Sequence, residues 1–126
     1  MELKIGLIIG LEQNIEQKFK EISELGFSCC QLNSFKENMY TEAMVDRVKR
    51  AAEKYDIEIT ACWCGWPGPA RWNFSGGPVT LGLVPEAYQF DRMKTLQAGS
   101  DFARKLEVNK LVTHVGFIPE NPGSEK

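Results

Sequence analysis

The chain has 126 residues, 43% of them hydrophobic and 25% charged, with a formal net charge of −2. That length suits one domain with a core of its own, and the composition is that of an ordinary soluble globule. Fifteen Lys and Arg against seventeen Asp and Glu leave no basic footprint, so no nucleic-acid partner is expected. The longest clean apolar run, Ile5 to Leu11, is too short to cross a bilayer, and Glu12 follows it with no small-residue cleavage site. A cytoplasmic protein without a membrane partner is the expectation.

Lys4–Gly10 reads as the first strand. Asn14-Ile-Glu-Gln17 is a close variant of a capping box, and Ile15, Phe19, Ile22 and Leu25 then recur at helical spacing up to Gly26, a fitting stop. Phe27–Asn33 follows at once as a second strand; so short a connection suits a βαβ unit, in which the strands are parallel. Thr41 is placed to cap the next helix, whose Met44, Val45, Val48, Ala52 and Tyr55 form an apolar stripe, and Ile57–Cys64 is the third strand. The four cysteines, at 29, 30, 62 and 64, lack Cys-x-x-Cys spacing, and neighbours on a strand point to opposite faces. Buried free thiols are expected.

Residues 65–85 differ in texture, with five Gly, four Pro and two Trp. So long a loop in a small domain is usually functional or mobile, and Trp66, Arg71, Trp72 and Phe74 are larger than a linker needs. A third helix is expected from about Glu86 to Leu106, with Met93, Leu96, Ser100, Ala103 and Leu106 on one face. Its Ala98-Gly99-Ser100 patch is a weak helix former, which points to close backbone packing. Lys110-Leu-Val-Thr-His114 is the fourth strand, ending in the chain's single histidine before Gly116, Pro119 and Pro122.

The order β-α-β-α-β-loop-α-β predicts an α/β fold of parallel (β/α) repeats. A (β/α)8 barrel takes about 250 residues. The 126 residues, one partial domain of four strands, three helices and the long loop, therefore read as the amino-terminal half of a TIM barrel. A doubly wound sheet is the alternative, but Gly-Leu-Glu-Gln-Asn after the first strand is no Gly-rich phosphate fingerprint.

Three segments carry a family likeness: Trp66-Pro-Gly-Pro-Ala-Arg-Trp-Asn-Phe74, Gly77-Pro-Val-Thr-Leu-Gly-Leu-Val-Pro85 and Thr113-His-Val-Gly-Phe-Ile-Pro-Glu-Asn-Pro122. They resemble bacterial sugar phosphate isomerase/epimerase proteins, which belong to the xylose isomerase-like TIM barrels, a group that includes endonuclease IV. The resemblance implies isomerisation or epimerisation of a sugar or sugar phosphate by proton transfer next to a carbonyl, assisted by a divalent metal such as Mn, Mg, Co or Zn. In that family the metal-binding Glu, Asp and His come mainly from later strands. This chain alone, a truncated half, is therefore expected to be inactive.

His114 matches the position that looks into the barrel near substrate or metal, although one imidazole is one ligand of the three or more required. Its other reading is a structural histidine. Gln31 and Asn33 alternate with Cys30 and Leu32, so turned inward they suit sugar hydroxyls; otherwise they satisfy backbone groups at the barrel mouth. Trp63, Trp66 and Trp72 offer flat faces for a sugar ring, or a hydrophobic plug for the loop. Arg71 suits a substrate phosphate, or solvent. None of the first three strands is read as ending in an Asp or Glu that faces the centre, and Glu37 and Glu120 are read as loop residues. The open barrel edges suggest a homo-oligomer. Two other functions stand beside the isomerase: a catalytically inactive half-barrel assembly module, and an endonuclease IV-like phosphodiesterase. The latter would want several histidines and a basic face.

Overall fold

The computed structural model describes residues 3–118. Strand β1 (Leu7–Gly10), helix α1 (Ile15–Glu24), β2 (Cys29–Ser34), α2 (Glu42–Tyr55) and β3 (Glu58–Cys64) follow one another, with a 3₁₀ turn at Glu37–Met39. Beyond β3 come a one-turn helix α3 (Gly77–Thr80), the long α4 (Glu86–Lys105) and the short β4 (Leu111–Val112). The four strands form one sheet in the order β1-β2-β3-β4, every neighbouring pair parallel. The order never reverses, as it must at the switch point of a doubly wound sheet. This is the (β/α) repeat anticipated from the sequence. No helix among the described residues is long and apolar enough to cross a membrane.

Register and burial fix which side chains share a face. Leu7 and Ile9 of β1, Cys30 and Leu32 of β2, and Cys62 and Cys64 of β3 belong to or pack on the core beneath the helices. Their alternates, Ile8, Gln31 and Ala61 in one layer and Gly10, Asn33, Trp63 and Val112 in the next, therefore lie on the opposite, inner face. Helix α1 presses Ile15, Phe19 and Ile22 into the core, and α2 adds Met44, Val45, Val48 and Ala51. All four cysteines are buried free thiols. Burial pushes the Cys30 and Cys62 thiols up to about 12 each.

Thr41 caps α2 as anticipated, its hydroxyl accepting the Met44 N–H at 3.2 Å. The capping box at α1 does not form. Asn14 stands before the helix, but its backbone (φ −92°, ψ 29°) lacks the extended form that aims a cap side chain at the first turn, and Gln17 bonds Glu21 instead.

Helix α4 has the expected span, and Leu96, Ala103 and Leu106 of its expected face belong to or pack on the core, but the rest of that face differs. Its buried residues are Arg92, Thr95, Gly99, Phe102 and Ala103, while Met93 is 51% and Phe90 83% exposed. The stripe is rotated because the loop offers Arg92 a set of carbonyl acceptors and Thr95 donates to Glu37 Oε2 at 3.0 Å. Gly99 lies tight against the sheet as its sequence implied: a Cβ there would stand 2.5 Å from Cys64 Sγ.

Strand β4 is short for a traceable reason. Past Val112 the backbone leaves the sheet to meet the long loop: Leu83 and Val84 both donate to the Val115 carbonyl, at 2.6 and 3.2 Å. Gly82 (φ +72°) allows this approach, since a Cβ would fall 2.1 Å from the Val115 carbonyl carbon.

Candidate functional site

The carboxyl ends of parallel strands are where a sheet of this kind carries chemistry, because the strand–helix loops converge there. In this chain the residues leaving β2, β3 and β4 meet in a continuous run of rings. Trp63 stands edge-on to Phe35 with centroids 4.8 Å apart, and Phe35 meets Trp66 at 6.2 Å. Trp66 stacks on Trp72 at 6.3 Å, and Trp72 stands edge-on to His114 at 5.0 Å. The sheet thus brings Trp63, Trp66, Trp72 and His114 into one cluster. Phe35 is the link that the sequence reading did not single out.

The members differ in exposure, and so in what they can do. Trp66 is buried, and its indole N–H donates to the His114 carbonyl at 3.1 Å, which makes it the packed centre of the loop. Trp72 is 58% exposed. His114 is half-buried, and its Nδ1 accepts the Gly116 N–H at 3.1 Å. In the neutral ring this bond places the proton on Nε2. Thr113, just before it, donates to the Cys64 carbonyl at 2.8 Å and ties this segment to β3. Cys64 itself lies on the helix side, against Gly99 and the Tyr40–Phe102 pair, and so takes no part in the cluster.

Asn33 is level with Trp63 in the sheet, and Gln31 lies one layer deeper, beside Ala61. Asn33 also lines a hollow of about 200 Å³ with Gly10, Glu12, Phe35 and Lys36, at the ends of β1 and β2. Glu12 was not recognised in the sequence as a strand-end carboxylate. It folds back so that its Oε1 lies 3.2 Å from where a Cβ on Gly10 would be, and it pairs with Lys18 at 3.3 Å. Its place two residues past the strand was the available signal. Arg71 sits in the loop, its N–H donating to Thr80 Oγ1 and its side chain lying on Gly76. Glu37 receives the Thr95 hydroxyl, and Glu120 lies outside the described residues.

Behind the cluster, Arg92 reaches from α4 with no solvent exposure. Its Nε donates to the Pro67 carbonyl at 3.1 Å, Nη1 to Thr80 at 2.8 Å and Gly82 at 2.6 Å, and Nη2 to Pro69 at 2.9 Å. The guanidinium also lies over the rings of Trp66, at 4.3 Å, and Tyr88, at 4.6 Å. Burial lowers its pKa from the usual guanidinium value, while Tyr88 acts the other way.

A divalent metal needs at least three converging donors. Among the described residues no three His, Cys, Asp or Glu side chains converge in that way. These residues therefore do not make a metal centre by themselves, and no chemical step is assigned through one.

A parallel sheet wound one way, with an aromatic and polar cluster at its carboxyl ends, defines the chain as part of a (β/α) barrel-type fold. No protein-family model matches the chain, and no curated protein matches it in sequence. Solved structures do match. A xylose isomerase domain protein from Planctomyces limnophilus superposes with a TM-score of 0.83 at 21% identity, over 92% of this chain and 42% of that one. A D-psicose 3-epimerase, solved in the presence of D-fructose, superposes with a TM-score of 0.55 at 12% identity, over 97% of this chain and 42% of that one. At these identities the likeness is one of fold: the chain shares the fold of a part of each of these two structures, and spans 42% of the length of each.

Proposed function

We propose that the chain supplies a ligand-binding part of an isomerase or epimerase of sugars or sugar phosphates, in which a proton moves next to a carbonyl. The observation that carries this reading is the cluster of Asn33, Trp63, Trp72 and His114 at the carboxyl ends of the strands, in a fold shared with a D-psicose 3-epimerase. The exposed face of Trp72 suits the C–H face of a sugar ring. The Asn33 and Gln31 amides both donate and accept, as hydroxyls require, and the Glu12 carboxylate accepts. His114 Nε2–H is a donor for a ligand oxygen, and Arg71 is the candidate for a phosphate. The whole isomerase would use a divalent ion to polarise the carbonyl; in this chain His114 is its one candidate ligand. Acting alone, the chain binds without turnover.

A second reading, an inactive half-barrel that serves in assembly, is favoured by the lack of converging metal donors among the described residues and by β1 and β4 standing at the edges of the sheet. Titration with D-fructose and D-fructose 6-phosphate, followed by tryptophan fluorescence with and without manganese, separates the two. A saturable change that Trp72→Ala and Asn33→Ala abolish, with no ketose converted, is the expected result. No saturable change with either sugar would leave the assembly reading. Turnover abolished by His114→Ala would show that the chain is a complete catalyst.

A further inference from the structure

We infer that Arg92 is the positioning residue of the strand-end cluster: its guanidinium gathers both limbs of the 65–85 loop and, through Trp66, sets where His114 stands. The relevance to a ligand rests on the sugar-binding reading; the geometry stands without it.

The two limbs are tied at separate points. Pro67 and Pro69 lie on the outgoing limb, Thr80 and Gly82 on the returning one, and all four carbonyls accept from the one side chain. Only a planar fork of donors spans such a set; a lysine ammonium presents three protons from one point. A cation removed from water is costly unless its donors are satisfied, and here four carbonyls and two ring faces do so. The arrangement is thereby held to one geometry, because the loop that opens also strands a buried charge.

The effect reaches His114 in two further contacts. The Trp66 ring that covers the guanidinium donates its indole N–H to the His114 carbonyl at 3.1 Å. It also stacks on Trp72, whose ring meets the His114 imidazole. Main chain and ring of His114 are therefore both referenced to Trp66, and Trp66 to Arg92. The same limb carries Gly82, against which Val115 and Gly116 pack.

The chain's single histidine makes this testable without assignment, since its carbon-bound imidazole protons are the one such pair in the proton NMR spectrum. In the parent chain the Trp72 ring, 5.0 Å away and edge-on, is expected to displace them from their random-coil positions. Arg92→Met is expected to return them toward those positions while the far-UV circular dichroism stays that of the parent. Arg92→Lys is expected to move them in the same direction. Trp66→Phe keeps a ring over the guanidinium but removes the N–H, and should shift the His114 signals with Arg92 intact. Unmoved histidine signals in a folded Arg92→Met chain would overturn the inference. Should Arg92→Met fail to fold, Trp66→Phe decides: a shift supports the link, and parent-like signals refute it. Sugar binding has no part in this readout, so a failed titration and a failed link remain distinct results.

Discussion

The two faces of the sheet are built differently. On the helix side Ile15, Phe19 and Val48 have no exposure at all, and the strands add Leu, Ile and Cys to the apolar core. On the inner face Ile8 is 67% exposed, and Gln31, Asn33 and Trp63 are half-buried. Parallel sheets are ordinarily covered on both faces. The contrast separates two surfaces: the packed core lies under the helices, and the inner face and its rim carry the side chains we propose for recognition. It also fits a chain that spans 42% of each structure sharing its fold.

The largest test of this division is Phe19→Ala. Truncating a fully buried aromatic ring removes its burial and leaves a cavity, a loss of about 3–5 kcal/mol. The midpoint of urea unfolding should fall accordingly. A loss below about 1 kcal/mol would mean that the helix side is not the seat of stability.

The thiols beneath the helices sharpen the contrast through pH. Burial raises Cys30 and Cys62 from 9.0 to about 12 in the folded chain, with smaller contributions from the neighbouring Cys29 and Cys62 at Cys30 and from Cys64 at Cys62. Between those values the folded state holds protons that the unfolded state has lost, so stability declines as pH rises. The contribution is fully present below pH 9 and is lost progressively towards pH 12, at about 1.4 kcal/mol per thiol per pH unit. Burial moves the Tyr40 phenol in the same direction. Urea midpoints at pH 8 and pH 10 should separate clearly in the parent chain and less in a Cys30→Ala/Cys62→Ala variant. Equal separations would place the alkaline sensitivity elsewhere.

How much of this was legible in the sequence depends on which force does the burying. Helix α1 was readable because Ile15, Phe19 and Ile22 are apolar and periodic, and the sheet was readable from its spacing. Helix α4 was readable in its bounds and in Leu96, Ala103 and Leu106, but not in Arg92, Thr95 and Gly99, which complete its inner face. Those residues are buried by loop carbonyls, a distant Glu37 and a close strand, none of which appears in the helix's own pattern. At the rim, Asn33, Trp63 and His114 stood out as polar or aromatic ends of apolar strands. Glu12 did not, since its return over Gly10 is a property of the turn. For Trp66 the sequence allowed ligand stacking but leaned towards a plug for the loop, and its burial suits the plug.

The smallest effect on stability is expected at Ile8, and there the comparison meets assembly. Ile8 lies on the inner face of edge strand β1, opposite in sense to its core-packed neighbours Leu7 and Ile9. Exposed apolar side chains beside an unpaired strand edge favour pairing with another chain. At the other end of the sheet, Leu111 and Val112 of β4 are exposed as well. Parallel addition of β1 to the β4 of a second copy would use both edges and cover both inner faces, the arrangement we propose for a homo-oligomer. Ile8→Ser should then change the unfolding free energy by less than about 0.5 kcal/mol, as surface substitutions do. It should nevertheless lower the mass seen by light scattering at micromolar concentration. A parent chain that is already monomeric would remove the oligomer and leave the stability prediction standing. A loss of several kcal/mol in a monomer would instead show that the inner face is packed from within, and the division between the two faces would fail.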